Sequence, residues 1–528
     1  MSGERKSGRR DAIKVVGSAV GGLVIGAAIG YLAKPAELIE KTVTSTVTGP
    51  ATTVTAKETV TQTVTVGGPT TVVTTPSPTT VVTTPTTVVT TPTPTIKPGK
   101  ITFWHCESYD PTAKAFVRLA DKFAQKYPGS SVDISVLAWA DVGPKISSAL
   151  AAGAPPEVAM GTFSWISKFA DMGVELPLDD LYNYWGNDVF EASADMCYYK
   201  GHYYAVHCTI ATDVLVVRKD YWEEYVDMPW PGLQKRLSWN EWLTALDQLT
   251  RPEKGIWGLD LAGKTRYFID EDTWMSIGAT GGAWYDDQGR VDFDNDKVIQ
   301  GLEYYAELTK HCPPGWEGRD YLDTFSSLVT GRVAAAYGWP RAIGYIEQYA
   351  PAELANQDTF GVILKPVPPG GRDFTQIDDN TWHVFSNSKN PDLGKEWLKF
   401  FMEPENYVEW CKDVPIHLMP IRKSALNLLK QVRADYFNKW GSWLDCQQYY
   451  IDRGAALPTM GFRKIRVKGE LMWDYLLPYV FELRESGIIA DMAMDVALGR
   501  KSPQDAARDA QKRAVELLVS KGYQDYVP

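Results

Sequence analysis

Residues 101–138 read ITFWHCESYDPTAKAFVRLADKFAQKYPGSSVDISVLA, and their pattern decides the fold class. The apolar run 101–104 predicts a short strand. Residues 111–127 place their apolar side chains on one face at helical spacing, which predicts an amphipathic helix, and 132–138 alternate as a second strand. Because strand, helix and strand follow one another, this stretch predicts an α/β fold built on a parallel sheet with helices on both faces.

The same alternation continues downstream, with a helix predicted at 144–152 and a third strand at 157–161. In sheets of this kind, ligands bind beyond the carboxyl ends of the strands. Three loops are predicted to follow the strands and to meet at that rim: 104–108, 139–141 and 162–165. Each of them carries a tryptophan, so the rim is predicted to present indole rings to a ligand.

The second half of the chain is predicted to be richer in helix. The predicted helices cover 239–249, 296–310, 324–330, 391–402 and almost all of 471–518, and one further strand is predicted at 378–385. About 430 residues follow position 98, which is more than one simple core holds, so two compact lobes are expected.

The first hundred residues predict export and tethering. Residues 1–14 contain Arg9 and Arg10 and resemble the n-region of a twin-arginine signal. Residues 15–33 are uncharged and long enough to span a bilayer. This segment fits an uncleaved transmembrane anchor better than a removed signal peptide, and both alternatives stay open. The basic residues before it place the N-terminus in the cytoplasm, which puts the remainder of the chain outside the cell.

Residues 34–98 are mostly Thr, Val and Pro and contain three TTVVTTP repeats. Recurrent prolines and the lack of large apolar side chains predict a disordered, O-glycosylated stalk, although Thr and Val alone would favour strands. The folded part is therefore predicted to stay close to the extracellular face of the membrane.

Composition excludes several classes of function. The net charge of −11 makes a nucleic-acid partner improbable. The six cysteines are scattered without a C-x-x-C pair, so no zinc site is predicted, and up to three disulfides are expected in an exported chain. No cofactor and no metal are predicted.

Three motifs imitate other functions. Residues 258–265, GLDLAGKT, fit the P-loop pattern, but a turn precedes them and an acidic stretch follows, so a strand and loop are predicted instead. Asp292, Asp294, Asp296 and Glu303 have EF-hand spacing, but Lys297 occupies the position that needs Gly, so Asp294 or Asn295 is predicted to cap a helix.

Two pairs of neighbouring carboxylates, Asp179 with Asp180 and Asp378 with Asp379, would suit a glycosidase if both members of a pair faced one bond. Adjacent residues on a strand point to opposite faces, so neither pair forms a catalytic dyad by itself. No catalytic residues are therefore predicted.

A series of motifs in unbroken order resembles the extracellular sugar-binding proteins of ABC transporters, the maltose-binding-protein type of solute-binding protein. Residues 123–129 resemble F-x-x-x-x-P-G and residues 152–158 resemble A-G-x-x-P-D-V. The other matching segments are 101–105, 161–165, 176–180, 199–206, 218–220, 238–242, 325–334, 388–391, 420–424 and 499–506. Together they cover nearly all of residues 100–520.

The resemblance implies a two-lobed periplasmic-binding-protein fold (type II), with a mixed sheet flanked by helices in each lobe. Lobe one would comprise 99–210 and 378–417, and lobe two 214–374 and 422–525. It further implies that the lobes close on a sugar, an oligosaccharide, by hinge bending, and that permease subunits of an ABC importer are partners. The chain would then not be an enzyme.

A sugar site needs aromatic faces for C–H surfaces and polar groups for hydroxyls. The lobe-one candidates are Trp104, His105, Ser108, Trp139, Asp141, Ser164, Trp165, Asp379, Asn380 and Trp382. The lobe-two candidates are Trp274, Gly281, Gly282, Trp284, Trp339 and Arg341. Core packing is the competing interpretation for the tryptophans, above all for Trp104 and Trp382.

The chain departs from the family pattern at one candidate position. A typical member has G-P-W where this chain has Trp339-Pro340-Arg341, so Arg341 stands where a tryptophan would stack on sugar. An Arg there could pair with a carboxylate in bidentate fashion. Two alternatives to a sugar receptor therefore remain: a binding protein for an anionic or peptide ligand, and an exported polysaccharide hydrolase.

Overall fold

The computed structural model describes residues 96–528, which carry two sheets, several two-stranded pairs and many helices. The strands are β1 (Lys100–His105), β2 (Ser131–Val136), β3 (Val158–Thr162), β4 (Tyr198–Tyr199), β5 (His202–Tyr203), β6 (Ala205–His207), β7 (Val214–Arg218), β8 (Ala335–Gly338), β9 (Phe360–Ile363), β10 (Thr375–Gln376), β11 (Asn380–Val384), β12 (Ala456–Leu457), β13 (Lys464–Val467) and β14 (Glu470–Trp473). The helices are α1 (Asp110–Lys126), α2 (Trp139–Ala151), α3 (Ser164–Asp171), α4 (Asp179–Trp185), α5 (Glu191–Met196), α6 (Lys219–Tyr225), α7 (Trp239–Leu249), α8 (Arg266–Ala279), α9 (Asp296–Thr309), α10 (Tyr321–Val329), α11 (Ala342–Tyr349), α12 (Pro391–Phe401), α13 (Pro404–Cys411), α14 (Lys423–Val432), α15 (Ala434–Lys439), α16 (Gly441–Asp452), α17 (Val480–Glu485), α18 (Ile488–Ala497) and α19 (Pro503–Ser520).

The first sheet has the strand order β2-β1-β3-β11-β6. β1 pairs in parallel with β2 and β3, as the opening stretch predicts, whereas β11 runs antiparallel to β3 and β6. Asn380, at the start of β11, pairs with Thr162, at the end of β3. The start of β11 therefore lies at the same edge as the carboxyl ends of the parallel strands, which is where ligands bind.

The second sheet has the order β8-β7-β9, and β7 is antiparallel to both neighbours and buried along its whole length. Parallel bridges from Trp257 to Val333 and from Asp260 to Ala336 extend it beyond β8. Both sheets are therefore mixed, as expected for the two-lobed α/β fold.

Two chain segments that connect the sheets, 208–213 and 364–379, lie side by side. The Asp213 amide donates to the Gln376 carbonyl at 2.8 Å, and the Asp378 amide donates to the Ala211 carbonyl at 2.7 Å. The Lys365 ammonium pairs with the Asp213 carboxylate at this point, and both side chains are buried. The connections between the sheets are thus held together by backbone hydrogen bonds and one buried ion pair.

Two separate apolar clusters fill the fold. The first packs β1, β3 and β11 against α1, α12 and α13 around Trp382. The second packs β7 against helices α6, α7, α8 and α9, around Trp242 and Trp284. α14, α15 and α16 contribute their buried side chains to the first cluster, although the sequence assigned 422–525 to the second lobe. The first cluster also contains Val216 of β7, Phe325 of α10 and Phe360 of β9, so it continues from the first sheet onto one face of the second.

Several element boundaries differ from the predicted ones. α2 begins at Trp139 rather than 144, because the helix runs through Pro144, where we expected it to start. α3 begins at Ser164, so the second half of the loop predicted at 162–165 is helical, and Thr162 ends β3. The C-terminal region begins with the hairpin β13–β14, so the prediction of an almost entirely helical 471–518 was wrong at its start.

All six cysteines lie within the described range. Each is buried and unpaired, so the expectation of up to three disulfides was wrong. Burial raises the pKa of Cys197 and Cys446 to about 12, which keeps both thiols protonated. These cysteines serve as small apolar core residues.

Two of the imitating motifs, the P-loop-like segment and the EF-hand-like spacing, have structural explanations. Helix α8 follows the P-loop-like segment, contrary to the prediction. Gly263 in this segment is explained by packing, because a Cβ there would stand 2.7 Å from the Trp316 ring. The Asn295 side chain accepts hydrogen bonds from the Lys297 and Val298 amides and caps α9, as predicted. Within residues 96–528, no group of His, Cys, Asp and Glu side chains is arranged to hold a metal ion.

No helix among the described residues is long and apolar enough to cross a membrane. The predicted twin-arginine region, the segment 15–33 and the stalk up to residue 95 lie outside the described residues.

Helix α8 buries an acidic side chain without an ion pair. Asp270 is 1% exposed, and its Oδ1 has no hydrogen-bond partner among the described residues. Burial raises the pKa of its carboxyl to about 8. The folded protein therefore binds this proton more tightly than the unfolded chain, whose Asp pKa is about 3.9. The stability that Asp270 contributes is fully present below the unfolded pKa and is lost as pH rises through the folded pKa.

We therefore expect the free energy of unfolding to fall between about pH 4 and about pH 8, from the unfolded to the folded pKa, and Asp270→Asn to reduce this fall. At about pH 8 the variant should be more stable than the parent by ~1–3 kcal/mol, the cost of an unsatisfied buried polar group. At about pH 4, near the unfolded pKa of the carboxyl, the two should be nearly equal. Urea unfolding at each pH measures the difference. Asp435→Asn, at a side chain that is 77% exposed, is the control and should leave the pH dependence of the free energy of unfolding unchanged. If Asp270→Asn also left this pH dependence unchanged, the raised pKa assigned to Asp270 would be contradicted.

Candidate functional site: a cleft between the two sheets

A cleft lies between the two sheets, at the edge where β1 and β3 end and β11 begins. Its empty volume is about 580 Å³, open mouth included. The first-sheet side contributes Cys106, Glu107, Ser108, Trp139, Met160, Asp378, Asn380, Trp410, His417 and Leu418. The second-sheet side contributes Tyr267, Phe268, Tyr321, Trp339 and Arg341. The wall thus combines aromatic faces with a few polar groups from both lobes.

A buried ion pair joins the two sides of the cleft. Glu107 follows β1, and Arg341 follows β8 and immediately precedes α11. The two guanidinium nitrogens of Arg341 lie 2.7 and 2.8 Å from the two carboxylate oxygens of Glu107. Their exposed fractions are 4% for Glu107 and 6% for Arg341. The contact from Nη2 to Glu107 Oε2 is a charge-assisted hydrogen bond, a stronger kind of contact than a hydrogen bond between neutral groups.

A second set of cross-cleft contacts centres on Tyr267, in the first turn of α8. Its hydroxyl donates to Asp379 Oδ1 at 2.7 Å, and Arg484 pairs with Asp379 Oδ2 at 2.6 Å. The Trp139 ring stacks on the Tyr267 ring with centroids 5.4 Å apart and an angle of 19° between planes. An aromatic pair therefore closes this end of the cleft.

Polar contacts complete the closed arrangement. The Ser108 and Tyr321 hydroxyls lie 3.1 Å apart across the cleft. Trp339 lies edge-on to His417, with ring centroids 6.2 Å apart. Burial, and secondarily the nearby Arg341, hold the pKa of His417 well below its usual value, so this imidazole is neutral.

Buried polar atoms in the cleft that have no hydrogen-bond partner among the described residues include His417 Nδ1 and Asn380 Oδ1. Buried polar groups are nearly always hydrogen-bonded. These two atoms are therefore suited to bind hydroxyl groups of a ligand.

Of the sixteen predicted residues, the structure brings six to the cleft. Ser108, Trp139, Trp339, Arg341 and Asn380 line it, and Asp379 adjoins it through Tyr267. They meet because β1, β3, β8 and β11 all direct an end toward this space.

The other predicted residues of lobe one lie elsewhere. His105, Trp165 and Trp382 are core residues with exposed fractions of 0–2%. Trp165 packs on His383 and Phe481, since helix α3 turns it inward. The remaining three are Trp104, partly buried against the first core, Asp141, exposed in the first turn of α2, and Ser164, which is buried and bonded to Thr162.

The predicted lobe-two tryptophans Trp274 and Trp284 stack on each other within the second core and are not exposed. Gly281 adopts a φ of +74° in the turn after α8, and a Cβ at Gly282 would stand 2.9 Å from the Lys297 Cβ. Both glycines therefore serve the turn, and the structure corrects their assignment to the ligand site.

The sequence analysis missed several cleft residues, above all Glu107, Tyr267, Tyr321 and His417. Glu107 stands in a predicted rim loop, so its position was a usable signal. Tyr267 lies just after the P-loop-like segment 258–265. The acidic residues that follow argued against a helix there, so the start of α8 was not predicted. Nothing local distinguishes Tyr321 or His417 from ordinary core or surface residues.

Comparison with known proteins gives the family. Residues 118–437, more than half of the chain, match the family model described as bacterial extracellular solute-binding protein. The chain is similar to the maltotriose-binding protein of Pyrococcus abyssi, with 27% identity over 343 residues, 62% of this chain and 68% of the relative.

Solved structures agree on the fold. A solute-binding protein of Agrobacterium radiobacter in complex with ribitol superposes with a TM-score of 0.66 at 19% identity, covering 80% of this chain and all of that one. Maltose-bound MalE3 of T. maritima superposes with a TM-score of 0.64 at 19% identity, covering 79% of this chain and 98% of that one. Together with the cleft between two mixed sheets, these matches confirm the resemblance found in the sequence. The chain belongs to the bacterial extracellular solute-binding proteins, which bind solutes for ABC transporters and are not enzymes.

Proposed function

We propose that this protein is a membrane-tethered extracellular receptor that captures an uncharged, hydroxyl-rich oligosaccharide. It delivers this sugar to the permease subunits of an ABC importer. The observation that carries the proposal is the cleft itself. Trp139 and Tyr267 stack on each other at one end of the cleft, and Trp339 lines the second-sheet side. His417 and Asn380 each have a buried polar atom without a partner among the described residues. Flat aromatic faces with a few fixed polar groups are what a sugar ring requires.

The relatives support a sugar. The Pyrococcus relative is named for maltotriose, and the superposed structures hold ribitol and maltose. Isothermal titration of the protein with a panel of malto-oligosaccharides, other oligosaccharides and polyols tests the proposal. Saturable binding of at least one sugar is expected, and absence of binding across the panel would count against it.

The anionic-ligand alternative loses its main support in the structure. It rested on Arg341, whose two guanidinium nitrogens face the carboxylate of Glu107 at 2.7 and 2.8 Å. An incoming anion would have to displace Glu107 and leave that buried carboxylate without a cation. A neutral sugar needs no such exchange.

The predicted residue set gives a direct mutational test. Trp139→Ala removes the ring that stacks on Tyr267 and faces the cleft, so sugar affinity should fall about tenfold or more, since an aromatic contact is worth ~0.5–1.5 kcal/mol beyond its buried area. Trp104→Ala is the matched control, because Trp104 packs on the first core away from the cleft. Equal affinities for the two variants would contradict the placement of the site. Titration calorimetry, with thermal unfolding as a check on folding, measures both.

The lobes proposed for closure are 99–210 with 378–417, and 214–374 with 422–525, hinged at the segments that connect the two sheets. The tether is proposed from sequence alone: Arg9 and Arg10 direct export, residues 15–33 anchor the chain, and the stalk to residue 98 holds it outside. Expression of the full chain, followed by membrane fractionation and protease treatment of intact cells, tests it. Recovery of the chain in the soluble cytoplasmic fraction would contradict the tether.

A further inference from the structure

The side chain of Tyr267 is fixed by three contacts. The Trp139 ring stacks on its ring with centroids 5.4 Å apart, and Arg484 Cζ lies over the same ring, 4.4 Å from its centroid. The Tyr267 hydroxyl donates to Asp379 Oδ1 at 2.7 Å. A cation over the face of an aromatic ring is attracted to it, so Arg484 stabilises this orientation of the ring. Tyr267 is therefore held in one position at the end of the cleft.

Arg484 also holds the carboxylate to which Tyr267 donates. Arg484 Nη1 donates to Asp379 Oδ2 at 2.6 Å, and the exposed fractions are 7% for Arg484 and 2% for Asp379. The Nε and Nη2 atoms of Arg484 have no hydrogen-bond partner within residues 96–528. The orientation of the guanidinium group thus depends on Asp379 and on the Tyr267 ring, and the three side chains fix one another.

Helix α17, which carries Arg484, lies between the two lobes. Val480 and Leu483 belong to the second apolar cluster, whereas Phe481 packs edge-on to Trp165 of the first lobe with centroids 6.4 Å apart. Residues three apart on a helix are neighbours on its surface, so Arg484 lies on the same side as Phe481. The second core therefore anchors the helix, and Arg484 faces the first lobe.

Arg484 lies behind the wall of the cleft. Trp139 and Tyr267 line the cleft, whereas Arg484 and Asp379 are not among the described residues that line it. Arg484 and Tyr267 are both in the second lobe, so the contact between them does not require closure. Trp139 and Asp379, which directly precedes β11, are on the first-sheet side. Their contacts with Tyr267 therefore form when the lobes meet.

We propose that Arg484 is a positioning residue for sugar capture. It presets the Tyr267 ring, and it holds Asp379 so that this ring meets Trp139 when the lobes close on the sugar. Arg484 itself does not touch the sugar. Presetting a side chain before binding lowers the cost of ordering it in the complex. This inference rests on the proposed function, because it assigns a role within the same sugar site.

A double-mutant cycle on sugar affinity tests the proposal. It combines Arg484→Met with Tyr267→Leu in the full chain and uses maltotriose as the probe, or the panel sugar that binds most tightly if maltotriose does not bind the parent. Each single variant should weaken binding about tenfold or more. The double variant should bind about fivefold or more tightly than the product of the two single losses predicts, because side chains that act together are not additive.

Two controls show whether this coupling is specific. Arg341 also forms a buried ion pair across the cleft, but its partner is Glu107. The losses from Arg341→Met and Tyr267→Leu should therefore multiply. Arg500 is an arginine with a side chain that is 61% exposed, and it pairs with Asp495 on the surface. Arg500→Met should bind the sugar like the parent.

A conservative variant separates positioning from a general effect on stability. Arg484→Lys keeps a cation for Asp379 and for the Tyr267 ring, so it should bind the sugar more tightly than Arg484→Met. Thermal unfolding of the ligand-free variants checks that each is folded. If Arg484→Met does not fold, Arg484→Lys takes its place in the cycle with Tyr267→Leu, and the same coupling is expected.

The outcomes separate this inference from the proposed function. Unchanged affinity in the Arg484 variant, or losses that multiply with that of Tyr267→Leu as they do for Arg341→Met, would overturn the positioning role and leave the sugar receptor intact. If the parent binds no sugar of the panel, both the positioning role and the receptor are overturned.

Discussion

Replacement of Arg341 by Met is expected to weaken sugar binding by about 100-fold or more. In the closed cleft Arg341 holds Glu107, whose side chain is only 4% exposed. Removal of one partner of a buried ion pair costs ~3–5 kcal/mol, because the other charge stays buried without compensation. Each 1.4 kcal/mol corresponds to about a tenfold change in affinity. When the lobes separate, Glu107 regains water, so the cost falls on the closed, ligand-bound state and not on folding.

The double variant Glu107→Gln/Arg341→Met decides whether Arg341 acts through Glu107 or on the ligand. If the pair stabilises closure, the double variant should bind more tightly than Arg341→Met alone, because no buried charge remains. Arg332→Met, at an exposed arginine, is the control and should bind like the parent. Titration calorimetry gives the affinities. A double variant that binds as weakly as the single one would show that Arg341 itself contacts the ligand and would contradict the closure role.

Replacement of Lys365 by Met is expected to lower the free energy of unfolding by ~3–5 kcal/mol. Lys365 pairs with Asp213 where the two connecting segments meet, and its ammonium also donates to the Thr375 hydroxyl at 2.8 Å. Burial raises the pKa of Asp213 to about 6, and Lys365 opposes that rise. Without Lys365, Asp213 must either stay charged and unpaired or take up a proton.

Urea unfolding monitored by tryptophan fluorescence measures this loss. Addition of Asp213→Asn should restore much of the stability, because the isolated charge is removed. Lys310→Met is the control at a side chain that is 64% exposed, and should change stability by no more than ~0.5 kcal/mol. If Lys365→Met were as stable as this control, the ion pair between Lys365 and Asp213 would not stabilise the connections between the lobes.

Local sequence patterns predicted much of the fold because the first sheet is built from neighbours in the chain. β1, α1, β2 and β3 lie at the places that alternation and helical spacing indicated, and α7 has the predicted bounds. The pattern failed at α2, because a proline inside a helix looks like a helix start. It failed again at β13–β14, where a short hairpin lies between helical regions.

The candidate site was predicted less well, and the tryptophans show why. Trp139 and Trp165 look alike in sequence, each at the start of a helix, and Trp274 lies in the middle of one. Trp139 faces the cleft, whereas Trp165 and Trp274 are buried under their own helices. A tryptophan on the apolar face of a helix or strand can pack in a core or line the cleft. Local periodicity shows that the face is apolar but does not show whether it borders the cleft.

The sequence by itself determined the α/β class, the order of the elements and the family, because these depend on local periodicity and on motifs that keep their order along the chain. Only the tertiary structure decided which side chains meet in the cleft. Glu107 and Arg341 are 234 positions apart, and Asp379 and Arg484 are 105 apart. Charges so distant in sequence become partners only when folding brings both sheets to one space and removes the water between them.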